Sequence, residues 1–173
     1  MAIMAIDPGL NSMGWAFWAT SRVDHITRTK EDRPPTRVGL LHAPRKYELV
    51  LRALWLAKEL KRETMTLGEM GGPIGIRDLH FVSEYPAWHG DKVRKGWARG
   101  DMQKVCLLVG VMAGYFHEAK LFTPVTPTEW KGQLPKDVVI RRLQKKFGPG
   151  ATQEWERDIW DAVGIGLWKM GRF

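Results

Sequence analysis

Cysteine is almost missing from this sequence, since Cys106 is the only one in 173 residues. A single cysteine excludes a disulfide framework and any zinc site built from cysteines, and it suits a reducing compartment. The five histidines show no metal-ligand spacing, and the chain contains neither a Walker loop nor a serine nucleophile elbow. The sequence therefore offers no sign of P-loop nucleotide hydrolysis or serine hydrolase chemistry.

Long hydrophobic runs are also missing. The longest, residues 105–116, is well short of the roughly 20 residues that a membrane-spanning helix requires. The first six residues lack the basic segment of a signal peptide, and Asp7 follows them at once. We expect a cytoplasmic protein with no membrane partner.

Acidic residues are scarce relative to basic ones. The chain has 27 Lys and Arg against 19 Asp and Glu, which leaves a net charge of +8, while 44% of its residues are hydrophobic. This length and composition predict one domain over residues 1–173. The charge indicates a polyanionic partner. The nine tryptophans can stack on bases where they are exposed beside cations, or can lie in the core or at its rim.

The pattern of apolar residues predicts an α/β fold with the element order βββαβαβαα and a mixed five-stranded sheet flanked by helices. A charged segment with Pro34 and Pro35 separates the second and third strands. The predicted strands are 2–6, 14–19, 37–42, 79–83 and 121–125, and the predicted helices are 47–61, 102–118, 136–147 and 154–169.

Four carboxylates occupy unusual positions. Asp7 and Glu84 stand where apolar strands end, and Asp158 and Asp161 lie three residues apart in the last predicted helix, on one face. Strand-end carboxylates point into the same crevice, where four of them repel one another unless a cation is bound. Singly, Asp7 is also a plausible turn residue, and Asp158 also suits a helix N-terminus.

Oxygen ligands on a basic protein favour Mg²⁺, which retains waters and accepts substrate phosphate. Two ions about 3.5 to 4 Å apart can activate a water and stabilise the leaving oxygen in attack on a phosphodiester. The acidic set therefore predicts phosphodiester hydrolysis.

The same residues resemble a known family. Residues 3–9, followed by Gly14-Trp15-Ala16, look like the opening strands of RuvC-type Holliday-junction resolvases, members of the RNase H-like superfamily. Residues 82–84 are similar to the family's second acidic strand, and residues 158–162 to its final Asp-x-x-Asp-Ala helix. The chain also resembles the shorter, divergent RuvC-like proteins of bacteriophages.

The resemblance implies an RNase H-like fold and a dimeric endonuclease, dependent on Mg²⁺ or Mn²⁺, that nicks two strands of a four-way DNA junction symmetrically. Asp7, Glu84, Asp158 and Asp161 match the metal-binding catalytic positions. Lys131 resembles a family lysine that approaches DNA near the site.

Further DNA contacts are predicted in the loop after Glu84, which is rich in Trp, Arg and Lys. Trp88 is the nearest candidate for the family aromatic that enters the junction centre. Lys136 also resembles a family lysine near the site, although either lysine also suits a solvated surface. The predicted DNA-binding residues are Trp88, Arg94, Lys95, Trp97, Arg99, Lys131 and Lys136.

The predicted helix 102–118 is apolar on nearly every face, with Leu108, Val111 and Tyr115 forming a second stripe. We expect that stripe to meet its own copy across a two-fold axis. The alternative is a monomer in which residues 45–64 cover it.

Three other functions remain open from the sequence. The Asp-x-Gly turn after the first strand also begins the actin-like ATPase fold, although that fold needs a second lobe. A branched-DNA binder without catalysis is a second alternative, and an RNase H-like nuclease acting on flaps or RNA-containing substrates is a third.

Overall fold

A computed structural model of the chain describes residues 2–19, 34–71, 75–86 and 100–173. A short 3₁₀ turn, Ile76–Asp78, precedes the fourth strand. The strands are β1 (Ala2–Asp7), β2 (Ser12–Ala19), β3 (Arg37–His42), β4 (Leu79–Glu84) and β5 (Leu121–Val125), and the helices are α1 (Leu49–Gly71), α2 (Asp101–Tyr115), α3 (Pro127–Lys131), α4 (Lys136–Phe147), α5 (Pro149–Thr152) and α6 (Arg157–Lys169).

The five strands form one mixed sheet in the order β3-β2-β1-β4-β5, which confirms the predicted fold class. The β1–β2 and β2–β3 pairs are antiparallel, and the β1–β4 and β4–β5 pairs are parallel. Asp7 pairs with Gly14, and Ile6 pairs with Ser83. This register brings the ends of β1 and β4, and so Asp7 and Glu84, to the same edge of the sheet.

Helices cover both faces of the sheet because β1 is apolar at every position before Asp7. Met4 and Ile6 belong to a core cluster with residues of α1 and α2. Ile3 and Ala5 point to the opposite face, where they belong to a second cluster with residues of α4 and α6. The edge with the two carboxylates therefore lies between two apolar layers that hold the ends of β1 and β4 in place.

Several helix boundaries differ from the predicted ones. α1 continues to Gly71 rather than stopping at residue 61, and the last helix begins at Arg157 rather than at residue 154. The short helices α3 and α5 were not predicted. A capping box, in which Thr126 and Glu129 bond each other's backbone N–H groups, starts α3.

The second apolar stripe of α2 is partly covered within the chain. Leu108 is fully buried in the cluster that contains Leu56 and Leu60 of α1, and Val111 and Tyr115 pack against the same cluster. Leu108 is therefore not available to a second copy, and α1, within residues 45–64, covers this stripe in part. A contact of Val111 and Tyr115 with a second copy stays a prediction. α1 leaves its own exposed apolar residues instead, namely Leu49, Val50, Leu51, Leu54 and Met65. In the part of the chain that the structure describes, no helix has the length and apolar character to cross a bilayer.

Candidate active site

The four predicted carboxylates come together at one edge of the sheet. Asp7 ends β1 and Glu84 ends β4, while Asp158 and Asp161 lie in the first two turns of α6. α6 packs across β1 and β2, so its carboxylates face the ends of those strands. Asp161 is buried, at 6% exposure, in a helix whose neighbouring positions are apolar.

Burial and the neighbouring carboxylates raise the pKa of the two carboxylates at the strand ends. Burial, and then the charges of Glu84, Asp161 and Asp158, raise the pKa of Asp7 well above its usual range, against a lowering effect of Lys136. Burial also raises the pKa of Glu84. The cluster is therefore short of positive charge at neutral pH.

Three of the four carboxylates are held by a partner from elsewhere in the chain. Ser12 donates its hydroxyl to Asp158 Oδ2 at 2.5 Å. The indole N–H of Trp130 donates to Glu84 Oε2 at 2.8 Å. The ammonium of Lys136 donates to Asp161 Oδ2, with 2.6 Å between the two atoms. Each of these carboxylates thus has one oxygen fixed by a neighbouring element.

Both predicted lysines lie beside the carboxylates. Lys136 begins α4 and is paired with Asp161, with 20% and 9% of the two side chains exposed. The Lys131 ammonium lies 4.7 Å from the centre of the Trp130 ring, and its charge lowers the pKa of Glu84. The other predicted DNA-binding residues, Trp88, Arg94, Lys95, Trp97 and Arg99, lie outside the described residues.

The donor chemistry of the cluster fits Mg²⁺ or Mn²⁺. All four candidate ligands offer oxygen, and the buried Oδ1 of Asp161 has no hydrogen-bond partner among the described residues. As the side chains stand, no three of the described His, Cys, Asp and Glu residues converge closely enough to hold an ion.

The glycine at position 14 controls how closely α6 approaches the sheet. A Cβ at Gly14 would lie 2.8 Å from the Ile159 nitrogen and closer still to the carbonyl group of Asp158. These are backbone atoms, so the helix itself would have to move. Position 14 therefore sets the distance between Asp7 on β1 and the two carboxylates of α6.

We expect Gly14→Ala to lower the free energy of unfolding by about 1 to 3 kcal/mol, the usual cost of overpacking, and to slow any metal-dependent reaction of the site. Urea unfolding measures the first effect. Gly110→Ala in α2 is the matched control, because nothing lies within 4 Å of its added Cβ. That change should stabilise the chain by about 0.5 to 1 kcal/mol. Equal stability of the two variants would contradict the close approach.

Sequence reasoning missed Ser12 and Trp130, and it noticed Gly14 only as part of a motif. No local pattern marks Ser12, because its partner Asp158 is 146 residues away. The helix that carries Trp130 could have been predicted, because Thr126-x-x-Glu129 is a capping-box sequence.

Solved structures show which fold positions this site. Thermus thermophilus RuvC in complex with a Holliday junction substrate is similar over 99% of this chain and 96% of that chain, with a TM-score of 0.63 and 16% identity. The chain has a RuvC-type fold. Fowlpox virus resolvase in complex with substrate Holliday junction DNA is similar over 99% of this chain and 97% of that chain, with a TM-score of 0.52 and 14% identity. No protein-family model matches the sequence, and no curated protein matches it significantly.

The RuvC-type fold accounts for the placement of the acidic residues. Its sheet order brings β1 beside β4, and its last helix crosses β1 and β2. At 14 to 16% identity, the similarity establishes the fold alone. The chemistry of the site has to be argued from the residues of this chain.

Proposed function

We propose that this chain is a metal-dependent, structure-specific endonuclease that resolves Holliday junctions by symmetric hydrolysis of phosphodiester bonds. The observation that carries the proposal is the set of four carboxylates at one edge of a RuvC-type fold, three of which raise the pKa of the fourth, Asp7. The net charge of +8 supports a polyanionic substrate. The similar structures from Thermus thermophilus and fowlpox virus are complexes with Holliday junction DNA.

In this proposal Asp7, Glu84, Asp158 and Asp161 hold Mg²⁺ or Mn²⁺, with two ions in each site. When bound, these ions supply an activated water and stabilise the leaving oxygen. Lys136 balances part of the carboxylate charge in the free protein, and its ammonium and that of Lys131 offer positive charge to a phosphate beside the site.

A homodimer would match the symmetry of the substrate. A four-way junction has two-fold symmetry, so a two-fold dimer sets one acidic site against each of two opposed strands. The dimer stays part of the proposal, although Leu108, one member of the predicted contact stripe on α2, is fully buried within the chain. Sedimentation of the protein at micromolar concentration measures its oligomeric state. A monomer that still makes paired incisions would contradict the symmetric mechanism.

Cleavage of four labelled substrates in Mg²⁺ tests the proposed activity. We expect paired nicks in a four-way junction and little cleavage of linear duplex. Faster cleavage of a flap or of an RNA–DNA hybrid would assign the alternative RNase H-like activity instead. Binding of the junction without cleavage would indicate a branched-DNA-binding protein.

A basic groove lies beside the C-terminal half of α4. Its cavity has a volume of about 420 Å³, and four cationic residues line it, namely Arg142, Lys145, Lys146 and Arg172. Phe173 also lines it. The Phe173 ring lies 5.5 Å from that of Trp130, the residue that bonds Glu84, so one residue of the groove contacts a neighbour of the acidic site. We propose that phosphates of a DNA arm bind there.

Charge reversal on α4 should weaken junction binding. We expect Arg142→Glu with Lys145→Glu to reduce the slope of log affinity against log salt concentration by about 0.9 for each phosphate that the variant no longer neutralises. Fluorescence anisotropy at several salt concentrations measures the slope. The matched control is Lys58→Glu with Arg62→Glu, two exposed cations of α1 on the other face of the sheet. An equal reduction of the slope in both double variants would indicate a general effect of net charge.

A further inference from the structure

Trp130 reaches Glu84 because of how the chain continues after β5. Val125, the last residue of β5, pairs with Glu84, and Tyr85 N–H donates to Val125 C=O at 2.7 Å. The capping box begins α3 at the next residues, so the helix starts at a defined point beside the end of β4. This short connection delivers Trp130 to Glu84, 46 residues away in sequence.

The indole ring has little freedom to turn. Trp130 is only 2% exposed. Gly164 of α6 accommodates the ring, because a Cβ there would overlap it. Phe173 meets the ring edge to face at 5.5 Å, and the Lys131 ammonium lies over it. Contacts on several sides therefore direct the N–H of the ring at Glu84.

Two buried indoles of β2 provide a comparison with Trp130. The ring nitrogens of Trp15 and Trp18 are buried and have no hydrogen-bond partner within the described ranges. Trp18 belongs to the same core cluster as Trp130 and also packs on a glycine of α6, Gly166. Trp18 and Trp130 are thus held alike, and they differ in that only the N–H of Trp130 bonds a carboxylate of the acidic site.

We infer that Trp130 is a positioning residue, which holds Glu84 through its indole N–H in the orientation that metal binding requires. The inference rests on the proposed function, because it takes Glu84 as a ligand. An indole N–H can only donate, so it suits an ionised carboxylate and cannot replace it as a ligand. Hydrogen-bond partners of metal ligands commonly contribute roughly 10- to 100-fold to metal affinity or activity.

Trp130→Phe removes the N–H and keeps an aromatic ring, and Trp18→Phe is the matched control. Calorimetric titration of the DNA-free protein with Mn²⁺ measures affinity directly. We expect Trp130→Phe to weaken Mn²⁺ binding by about 10-fold or more and Trp18→Phe to leave it unchanged. Raising the Mn²⁺ concentration should restore much of the cleavage rate of Trp130→Phe, with junction affinity unaltered throughout.

Glu84→Gln supplies a second measurement. If Trp130 acts through Glu84, the double variant with Trp130→Phe and Glu84→Gln should bind Mn²⁺ no more weakly than Glu84→Gln alone. Should Trp130→Phe fail to fold, Phe173→Leu tests the same ring from a partly exposed position, at 37% exposure, and should weaken Mn²⁺ binding several-fold.

Unchanged Mn²⁺ affinity in Trp130→Phe, or an equal reduction in Trp18→Phe, would overturn the positioning role while leaving the proposed nuclease intact. A wild-type chain that binds no Mn²⁺ would overturn both. Mn²⁺ binding that depends on Trp130 in a protein that does not cut junctions would support the positioning role and reject the proposed substrate.

Discussion

Asp7→Asn should reduce junction cleavage by more than about 100-fold and leave junction binding intact or tighter. Removal of a residue that merely supports a ligand costs about 10- to 100-fold, so removal of a ligand itself should cost more. Binding should survive because Asp7 repels phosphate when no metal is present. Cleavage and gel-shift assays on one preparation measure both effects. Cleavage close to the wild-type rate would reject Asp7 as a ligand.

The same substitution should stabilise the metal-free protein at neutral pH. The pKa of Asp7 is higher in the folded chain than its ordinary value, so its contribution to stability is fully present below the unfolded pKa and is lost as pH rises through the folded pKa. Asparagine resembles the protonated form and does not titrate. The stability advantage of Asp7→Asn should therefore grow with rising pH in the presence of a chelator.

Urea unfolding at several pH values tests this expectation. Asp78→Asn is the control, because Asp78 is an exposed carboxylate that precedes β4, at the end of the strand opposite Glu84. A wild-type chain with the same pH dependence as Asp7→Asn would contradict the repulsion in the acidic site.

Lys136→Gln should lower the free energy of unfolding of the metal-free protein by about 3 to 5 kcal/mol, the usual result of removing one partner of a buried ion pair. Lys136 and Asp161 are both largely buried, and Lys136 also lowers the pKa of Asp7 and Glu84. Its removal therefore leaves three carboxylates with less positive charge. Mn²⁺ should restore stability in part, by supplying the missing charge.

Lys104→Gln is the matched control for Lys136→Gln. Lys104 and Asp101 form an ion pair at 3.3 Å, but their side chains are 42% and 51% exposed. Solvent screens such a pair, so its removal should have a small effect. Thermal unfolding with and without Mn²⁺ compares the two variants. Equal destabilisation would show that Lys136 is an ordinary surface lysine.

The four carboxylates of the acidic site could be predicted from the sequence, because each is marked by the residues next to it. Asp7 and Glu84 follow apolar strands, and Asp158 and Asp161 share a helix face, so each position is marked by its immediate neighbours. The structure brings these four together. It also adds Trp130 of α3, which donates a hydrogen bond to Glu84 at the end of β4. The roles of the four carboxylates as metal ligands remain predictions.

The order of the strands and of the four long helices was contained in the sequence itself, because runs of apolar residues and their spacing are properties of short segments. Which surface covers α2, and which groups bond the carboxylates, depended on tertiary structure. Leu108 belongs to a helix that is apolar on most faces, so its periodicity does not distinguish α1 from a second chain as the neighbour. Ser12 and Asp158 meet across 146 residues, and only the packing of α6 against β2, permitted by Gly14, brings their side chains within hydrogen-bond distance.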